Sequence, residues 1–176
     1  MDRDHLARRI VETSYLTGSF RLRSGQVSDR YFDKYRFEAE PELLRGIAEA
    51  LAQILPPATE ILAGLELGGV PLATALSLTT GLPMVQVRKK RKEYGTEKLA
   101  EGPAIEGRRL CVVEDVITTG GQVVQSTEDL REEGAIVSDA LCVVLRGEQA
   151  TKILADVGIQ LHPLFTMDEL MAHVKA

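Results

Sequence analysis

The sequence predicts an α/β fold: a mostly parallel central sheet with helices on both faces, plus a small N-terminal hood element outside it. Three observations carry this expectation. From Ile61 onward, short apolar runs alternate with stretches of helical periodicity, which is the pattern of parallel strands joined by crossover helices. The runs LCVV (110–113) and ALCVVL (140–145) are continuously apolar, as strands buried on both faces are. Glycines and small hydroxyl residues collect where strands hand over to helices, in GLELGG and TTGG.

Leu6, Ala7, Ile10, Val11 and Ser14 share one face of a helix expected over 4–16, with Gly18 as its stop signal. Residues 19–36 alternate weakly around the Ser24-Gly25 pair and read as a short antiparallel excursion. Pro41 suits a first helical turn. Leu43, Leu44, Ile47, Ala48, Leu51 and Leu55 then form a helical face that Pro56-Pro57 ends. A strand follows at 61–65, a glycine-rich turn at 66–71, a helix at 73–80 and a strand at 84–87. Further strands are expected at 110–113, 136–145 and 162–165, and helices at 122–133, 147–157 and 167–174. Residues 90–106 show no buried strand and no apolar helix face, and a long polar loop inside a compact domain is usually functional.

The 176 residues suit one domain. A chain of this length buries roughly two thirds of its unfolded surface, so it needs no disulfide or metal staple. Composition is that of a globular protein, 44% hydrophobic and 27% charged. The net charge of −5 argues against generic binding to nucleic acid or to an anionic membrane. Arg88, Lys89, Lys90, Arg91 and Lys92 run against that balance in consecutive positions. Cys111 and Cys142 sit in apolar runs and read as buried, reduced thiols in neighbouring strands, without zinc spacing. No segment is long and apolar enough to span a bilayer and the N-terminus lacks a signal-peptide core, so a cytoplasmic setting is expected.

The segment LCVVEDVITTGGQ (110–122) carries the chemistry. Its strand delivers Glu114 and Asp115 to the end where α/β sheets bind ligands. Vicinal ribose hydroxyls are good partners for two adjacent carboxylates. Thr118, Thr119, Gly120 and Gly121 are small enough for backbone N–H groups to close around a phosphate, and the next helix adds its positive end. Acidic pair, small-residue cradle and helix thus read as a site for a phosphorylated ribose. The Gly-Lys-Ser/Thr ending of a nucleotide P-loop is absent, as is a GxGxxG dinucleotide fingerprint.

VVEDVITTGGQ resembles the phosphoribosyl pyrophosphate signature of the type I phosphoribosyltransferases. FRLRSGQVSDRYFDKYR, VRKKRKEYG and LRGE resemble further segments of the orotate-specific branch, and the likeness runs from Phe20 to about Leu170. The resemblance implies Mg2+-dependent transfer of ribose 5-phosphate from phosphoribosyl pyrophosphate to orotate, a step of pyrimidine synthesis. It implies donor contacts from Arg88, Lys89, Lys92, Tyr94, Glu114, Asp115, Val116, Ile117, Thr118, Thr119, Gly120, Gly121 and Gln122, with Lys89, Lys92 and Asp115 catalytic. Pyrophosphate would lie on a turn of Leu67, Gly68 and Gly69. Orotate would be met by Arg23, Tyr31, Phe32, Thr118 and Arg146, since arginine grips a planar carboxylate bidentately. Magnesium would be held by substrate and water, with no direct protein ligand. Residues 1–36 would form helix and hood, and residues 88–106 a mobile catalytic loop reaching the other subunit of a homodimer.

Three positions depart from the family's usual pattern: Tyr94 stands for a histidine, Gly68 for a lysine and Arg23 for a lysine. A phosphoribosyltransferase for a purine base shares the central motif, and a metabolite-sensing regulator could retain the same sugar-phosphate site.

Overall fold

The structure, a computed structural model, describes residues 1–21, 25–90 and 98–174. Helix α1 (Arg3–Ser14) opens on Asp2, whose side chain accepts a hydrogen bond from the His5 amide, and buries Leu6, Ala7, Ile10, Val11 and Ser14. Gly18 does not end this helix. The chain turns extended at Tyr15 and enters β1 (Tyr15–Arg21), which contains Gly18 and pairs antiparallel with β2 (Val27–Phe32). Cross-strand pairing, starting with Tyr15 opposite Phe32, supplies the partners that stop the helix. This hairpin is the hood.

A short helix not expected from the sequence follows, α2 (Lys34–Ala39). The Asp33 carboxylate accepts from the Tyr35 amide at 3.3 Å, and Phe37, fully buried, anchors the helix. Helix α3 (Pro41–Ile54) starts on its proline and buries Leu43, Ile47 and Leu51.

The main sheet has six strands: β3 (Ile61–Leu65), β4 (Met84–Val87), β5 (Ala100–Glu101), β6 (Arg109–Ile117), β7 (Ile136–Leu145) and β8 (Gln160–Thr166), in the spatial order β5-β4-β3-β6-β7-β8. All neighbouring pairs are parallel except β4 with β5. Strand β5 corrects the expectation of a structureless 90–106 segment. Leu99, Ala100 and Ile105 are buried there, and Gln86 and Val87 pair with Glu101 and Ala100. Three scattered apolar residues gave no periodicity to read.

Helices α4 (Gly69–Thr80), α5 (Gly121–Glu132), α6 (Gln149–Asp156) and α7 (Met167–Met171) complete the layers. Alternate strand residues serve opposite faces. Leu62, Cys111, Val113, Leu141 and Val143 pack with α1, α3, α4 and α7, whereas Ile61, Ala63, Val112, Ala140 and Cys142 pack with α5 and α6. Each fully buried leucine or isoleucine in these layers contributes about 1.5–3 kcal/mol. The two cysteines are free and buried in adjacent strands, and burial pushes both thiols far above their ordinary pKa.

Candidate active site

The order β4-β3-β6-β7 creates a switch point. From β3 the chain crosses by α4 to β4 on one side, and from β6 it crosses by α5 to β7 on the other. The turns leaving the carboxyl ends of β3 and β6 therefore diverge and open a crevice between them. A cavity of about 350 Å3 lies there, lined by residues from both turns, from α2 and from the end of β4.

Strand β6 supplies one wall. It runs four residues beyond the expected end at Val113, since Glu114, Val116 and Ile117 stay paired with Cys142, Val144 and Leu145 of β7. The acidic pair thus lies within the strand, where successive side chains point to opposite sides. Glu114 lines the cavity. Asp115 is 0% exposed and lies behind the cavity wall, towards the turn after β3. The Lys34 ammonium donates to Asp115 Oδ1 at 2.9 Å and lies 2.7 Å from Oδ2, and the Val116 amide donates to Oδ1 at 2.5 Å.

The electrostatics of this corner follow from burial and crowding. Burial, reinforced by hydrogen bonding with Asp115 and by its charge, pushes Glu114 up to about 9. Burial and the Asp115 charge push Glu38 up to about 8. Burial also opposes the Asp115 charge, but hydrogen bonds from Glu114 and Lys34 and the lysine's charge outweigh it and hold its pKa below the usual value. Burial likewise opposes the charge on Lys34, yet its bond to Asp115 prevails and raises its pKa. Asp115 thus holds its charge against the Lys34 ammonium, while crowding and burial favour the protonated forms of Glu114 and Glu38.

Val116, Ile117, Thr118, Thr119, Gly120, Gly121 and Gln122 continue the wall. Gly120 caps α5 with φ +81°, in the left-handed region that favours glycine, and no side chain caps the helix. The first-turn N–H groups of α5 therefore lack intrahelical partners and present a positive helix end to the cavity. The opposite wall is Glu66 and Leu67, from the turn after β3, together with Lys89. Gly68 and Gly69 stand behind that wall: a Cβ on Gly69 would lie 2.1 Å from the Val113 carbonyl oxygen.

The expected residues thus separate into groups. Leu67, Lys89, Glu114 and residues 116–122 meet at one cavity. Arg88 does not join them. Its guanidinium pairs with Glu101 at 3.3 Å, a contact that the unforeseen β5 makes possible. Phe32 turns into the core against Phe37, so its ring is unavailable to a ligand, and Tyr31 stacks on Phe20 in the hood at 5.5 Å between ring centres. Arg146 is exposed and lines a separate small cleft with Glu148 and Asp168, although its amide bonds to the Ile117 carbonyl at the end of β6. Arg23, Lys92 and Tyr94 lie outside the described residues.

Sequence reasoning passed over Lys34, Tyr35 and Glu66, which line the cavity, and Glu38 beside it. Lys34 gave no signal in the sequence, because the feature that marks it, a cation on the first residue of α2 that is unfavourable unless something else holds it, depends on a helix the sequence does not reveal.

A phosphoribosyl transferase domain model matches residues 35–167. The chain is 52% identical over 167 residues to an orotate phosphoribosyltransferase of Nocardioides sp., spanning 95% of this chain and 93% of that relative. Among solved structures it is similar to the orotate phosphoribosyltransferase of Mycobacterium tuberculosis, with TM-score 0.88 and 28% identity over 97% of this chain and 99% of that one. The Mycobacterium tuberculosis enzyme has also been solved in complex with phosphoribosyl pyrophosphate, and that structure matches with TM-score 0.83 and 26% identity, covering 97% of this chain and 99% of that one. The chain belongs to the orotate phosphoribosyltransferases, within the type I phosphoribosyltransferase family.

Proposed function

We propose that the protein transfers ribose 5-phosphate from phosphoribosyl pyrophosphate to a ring nitrogen of orotate, giving orotidine 5′-monophosphate and pyrophosphate. One observation supports this most directly: a single cavity joins a carboxyl group at Glu114, a Thr118–Gly121 cradle at a helix N-terminus, and Lys89 across from them. The 5-phosphate fits the cradle, where unpartnered N–H groups and the helix dipole favour an anion. The ribose hydroxyls fit the carboxylates, and the pyrophosphate fits the side bearing Lys89, Leu67 and the glycine turn.

In the reaction the bond from the anomeric carbon to pyrophosphate oxygen breaks, and its electron pair leaves with pyrophosphate. A bond from the orotate nitrogen to that carbon forms, and the nitrogen's proton passes to solvent. The reacting orotate nitrogen is acidified by the adjacent ring carbonyl and by conjugation through the ring to the second one, so the enzyme's contribution is orientation and stabilisation of departing charge. Lys89, with Lys92 and Tyr94 of the same segment, supplies that stabilisation, and Arg88 joins once it leaves Glu101. Arg146 and Arg23 grip the orotate carboxylate, with Thr118 and backbone groups of Tyr31 and Phe32 at the ring edge.

Glu114 and Glu66 are oxygen donors on the wall, the ligand type that a hard divalent cation takes, so these residues would face Mg2+ carried in with the donor. Magnesium would neutralise charge on the leaving group. In the homodimer implied by the family, Lys89 would exchange its own chain's cavity wall for the partner's site, together with Lys92, in a cytoplasmic enzyme of pyrimidine nucleotide synthesis. Among the described residues no helix is long and apolar enough to cross a membrane.

The test is to mix purified protein with orotate, phosphoribosyl pyrophosphate and magnesium and to follow orotate absorbance, with adenine, guanine and hypoxanthine as competing acceptors. Turnover confined to orotate is expected. Absence of turnover, or turnover of a purine instead, overturns the reading.

A further inference from the structure

Among the described residues two cations reach the cavity wall, Lys34 and Lys89. Lys89 follows β4, on the side assigned above to the leaving group. Lys34 comes from α2, outside the sheet, and sits where the cavity meets Asp115. Its side chain is 33% exposed, while the carboxylate beneath it is 0% exposed. Lys34 therefore forms the lid of that carboxylate, and a ribose hydroxyl reaching Asp115 must take the lysine's place.

The opposing turn explains where the displaced ammonium can go. Gly68 is packed so tightly on Asp115 that it can bear no side chain, and the turn's residues on the wall, Glu66 and Leu67, bring no cation. Among the described residues on the wall, Lys89 is thus the cation of the pyrophosphate side, and a second ammonium would add to it. Lys34 lines the same cavity as Glu66 and Leu67, on a flexible four-carbon stem that lets its charge swing.

We propose that Lys34 is a counter-ion switch for the donor: it holds Asp115 until phosphoribosyl pyrophosphate enters, the ribose hydroxyls then take over Asp115, and the freed ammonium pairs with the pyrophosphate end. This rests on the donor reading above. The switch keeps a shielded carboxylate ionised in the free enzyme, where an unpaired buried charge is costly. It also couples recognition of the sugar to recognition of the leaving group. Lys34 carries its charge throughout, since its pKa is raised in place and a pyrophosphate partner favours the same form.

The test compares two ligands by titration calorimetry in the presence of magnesium: phosphoribosyl pyrophosphate, and ribose 5-phosphate, which lacks the pyrophosphate. Lys34→Met should weaken the first by about tenfold or more, the loss of a charge-assisted contact. It should leave the second unchanged or tighter, because no ammonium need be displaced from Asp115. Equal weakening of both ligands, the result for a merely structural lysine, overturns the switch, as does unchanged donor affinity. Lys34→Arg gives a second arm should the methionine variant fail to fold. A guanidinium grips Asp115 bidentately, so donor association should slow by about fivefold or more, and an unchanged association rate overturns the switch. Wild-type protein that binds neither ligand overturns the donor reading itself, whereas normal wild-type binding with unaltered variants overturns the switch alone.

Discussion

Gly68 and Asp115 are packed so closely that a Cβ on the glycine would lie 1.6 Å from Asp115 Oδ2 and 2.4 Å from its Cγ. The carboxylate can yield only at a cost, because it is fully buried and held from the other side by Lys34. The absence of a lysine at this turn is therefore a packing requirement, and a flexible cationic side chain would meet the same obstacle at its first carbon. Gly68→Ala should displace Asp115 and lower stability by about 1–3 kcal/mol. Donor affinity should fall with it, by about tenfold. Urea unfolding and donor titration measure the two effects, and an alanine variant with wild-type values for both would show that the turn relaxes freely.

The carboxyl cluster makes stability depend on pH in a definite direction. Glu38 and Glu114 ionise near 4.5 when unfolded but near 8 and 9 in the folded protein. Between those values the folded state binds more protons, so stability decreases as pH rises. Their contribution is fully present below about 4.5 and is lost as pH passes 8 to 9. Asp115, with a lowered pKa, acts oppositely: its contribution is present above its unfolded value of 3.8 and is lost as pH falls below it. The urea midpoint should therefore drop steadily from pH 5 to pH 9, and Glu38→Gln should shallow the slope. A flat profile in the wild type contradicts the raised values.

Sequence pattern made most of the sheet legible. The strands at 61–65, 84–87 and 136–145 have the expected bounds, because burial on both faces writes itself as an unbroken apolar run. The Thr118–Gly121 turn at the start of α5 was legible as a small-residue turn, and its proposed phosphate role follows from the room such residues leave for backbone N–H groups. Helix α2 was not legible, since a six-residue helix with only Phe37 buried has too little periodicity to read. Lys34, Tyr35 and Glu38 were passed over with it. The two carboxylates of the Glu114-Asp115 pair were read as equivalent, and only the strand's continuation past Val113 shows that they face different partners. The inward turn of Phe32 depends on contact with Phe37 of the same unread helix.

The cradle can be tested separately from the pyrophosphate side. Gly120 adopts φ +81°, and a Cβ there would lie 3.3 Å from Leu154 Cγ. Gly120→Ala therefore combines a left-handed backbone penalty of about 1–2 kcal/mol with pressure from α6. The variant should recover stability by shifting the first turn of α5, which moves the N–H groups that face the cavity. Ribose 5-phosphate and phosphoribosyl pyrophosphate share the 5-phosphate, so both should weaken by similar factors. A loss confined to the pyrophosphate-bearing ligand would place the 5-phosphate elsewhere.

Lys89 provides the kinetic test of leaving-group stabilisation. It is exposed, lines the cavity and, among the described residues, shows no bond to another side chain, so removing it should disturb the ground state little. If its charge acts as pyrophosphate departs, Lys89→Ala should reduce kcat by about 10²–10³ and change KM for the donor much less. An equal loss of affinity with unchanged kcat would make it a binding residue only. The same variant reports on the proposed dimer. Co-expression with Asp115→Asn produces hybrids in which, if Lys89 reaches the neighbouring subunit, one site carries both substitutions and the other carries neither. Such hybrids should regain turnover that both parent variants lack. If Lys89 serves its own chain's site, every site in the hybrid keeps one defect and mixing restores nothing.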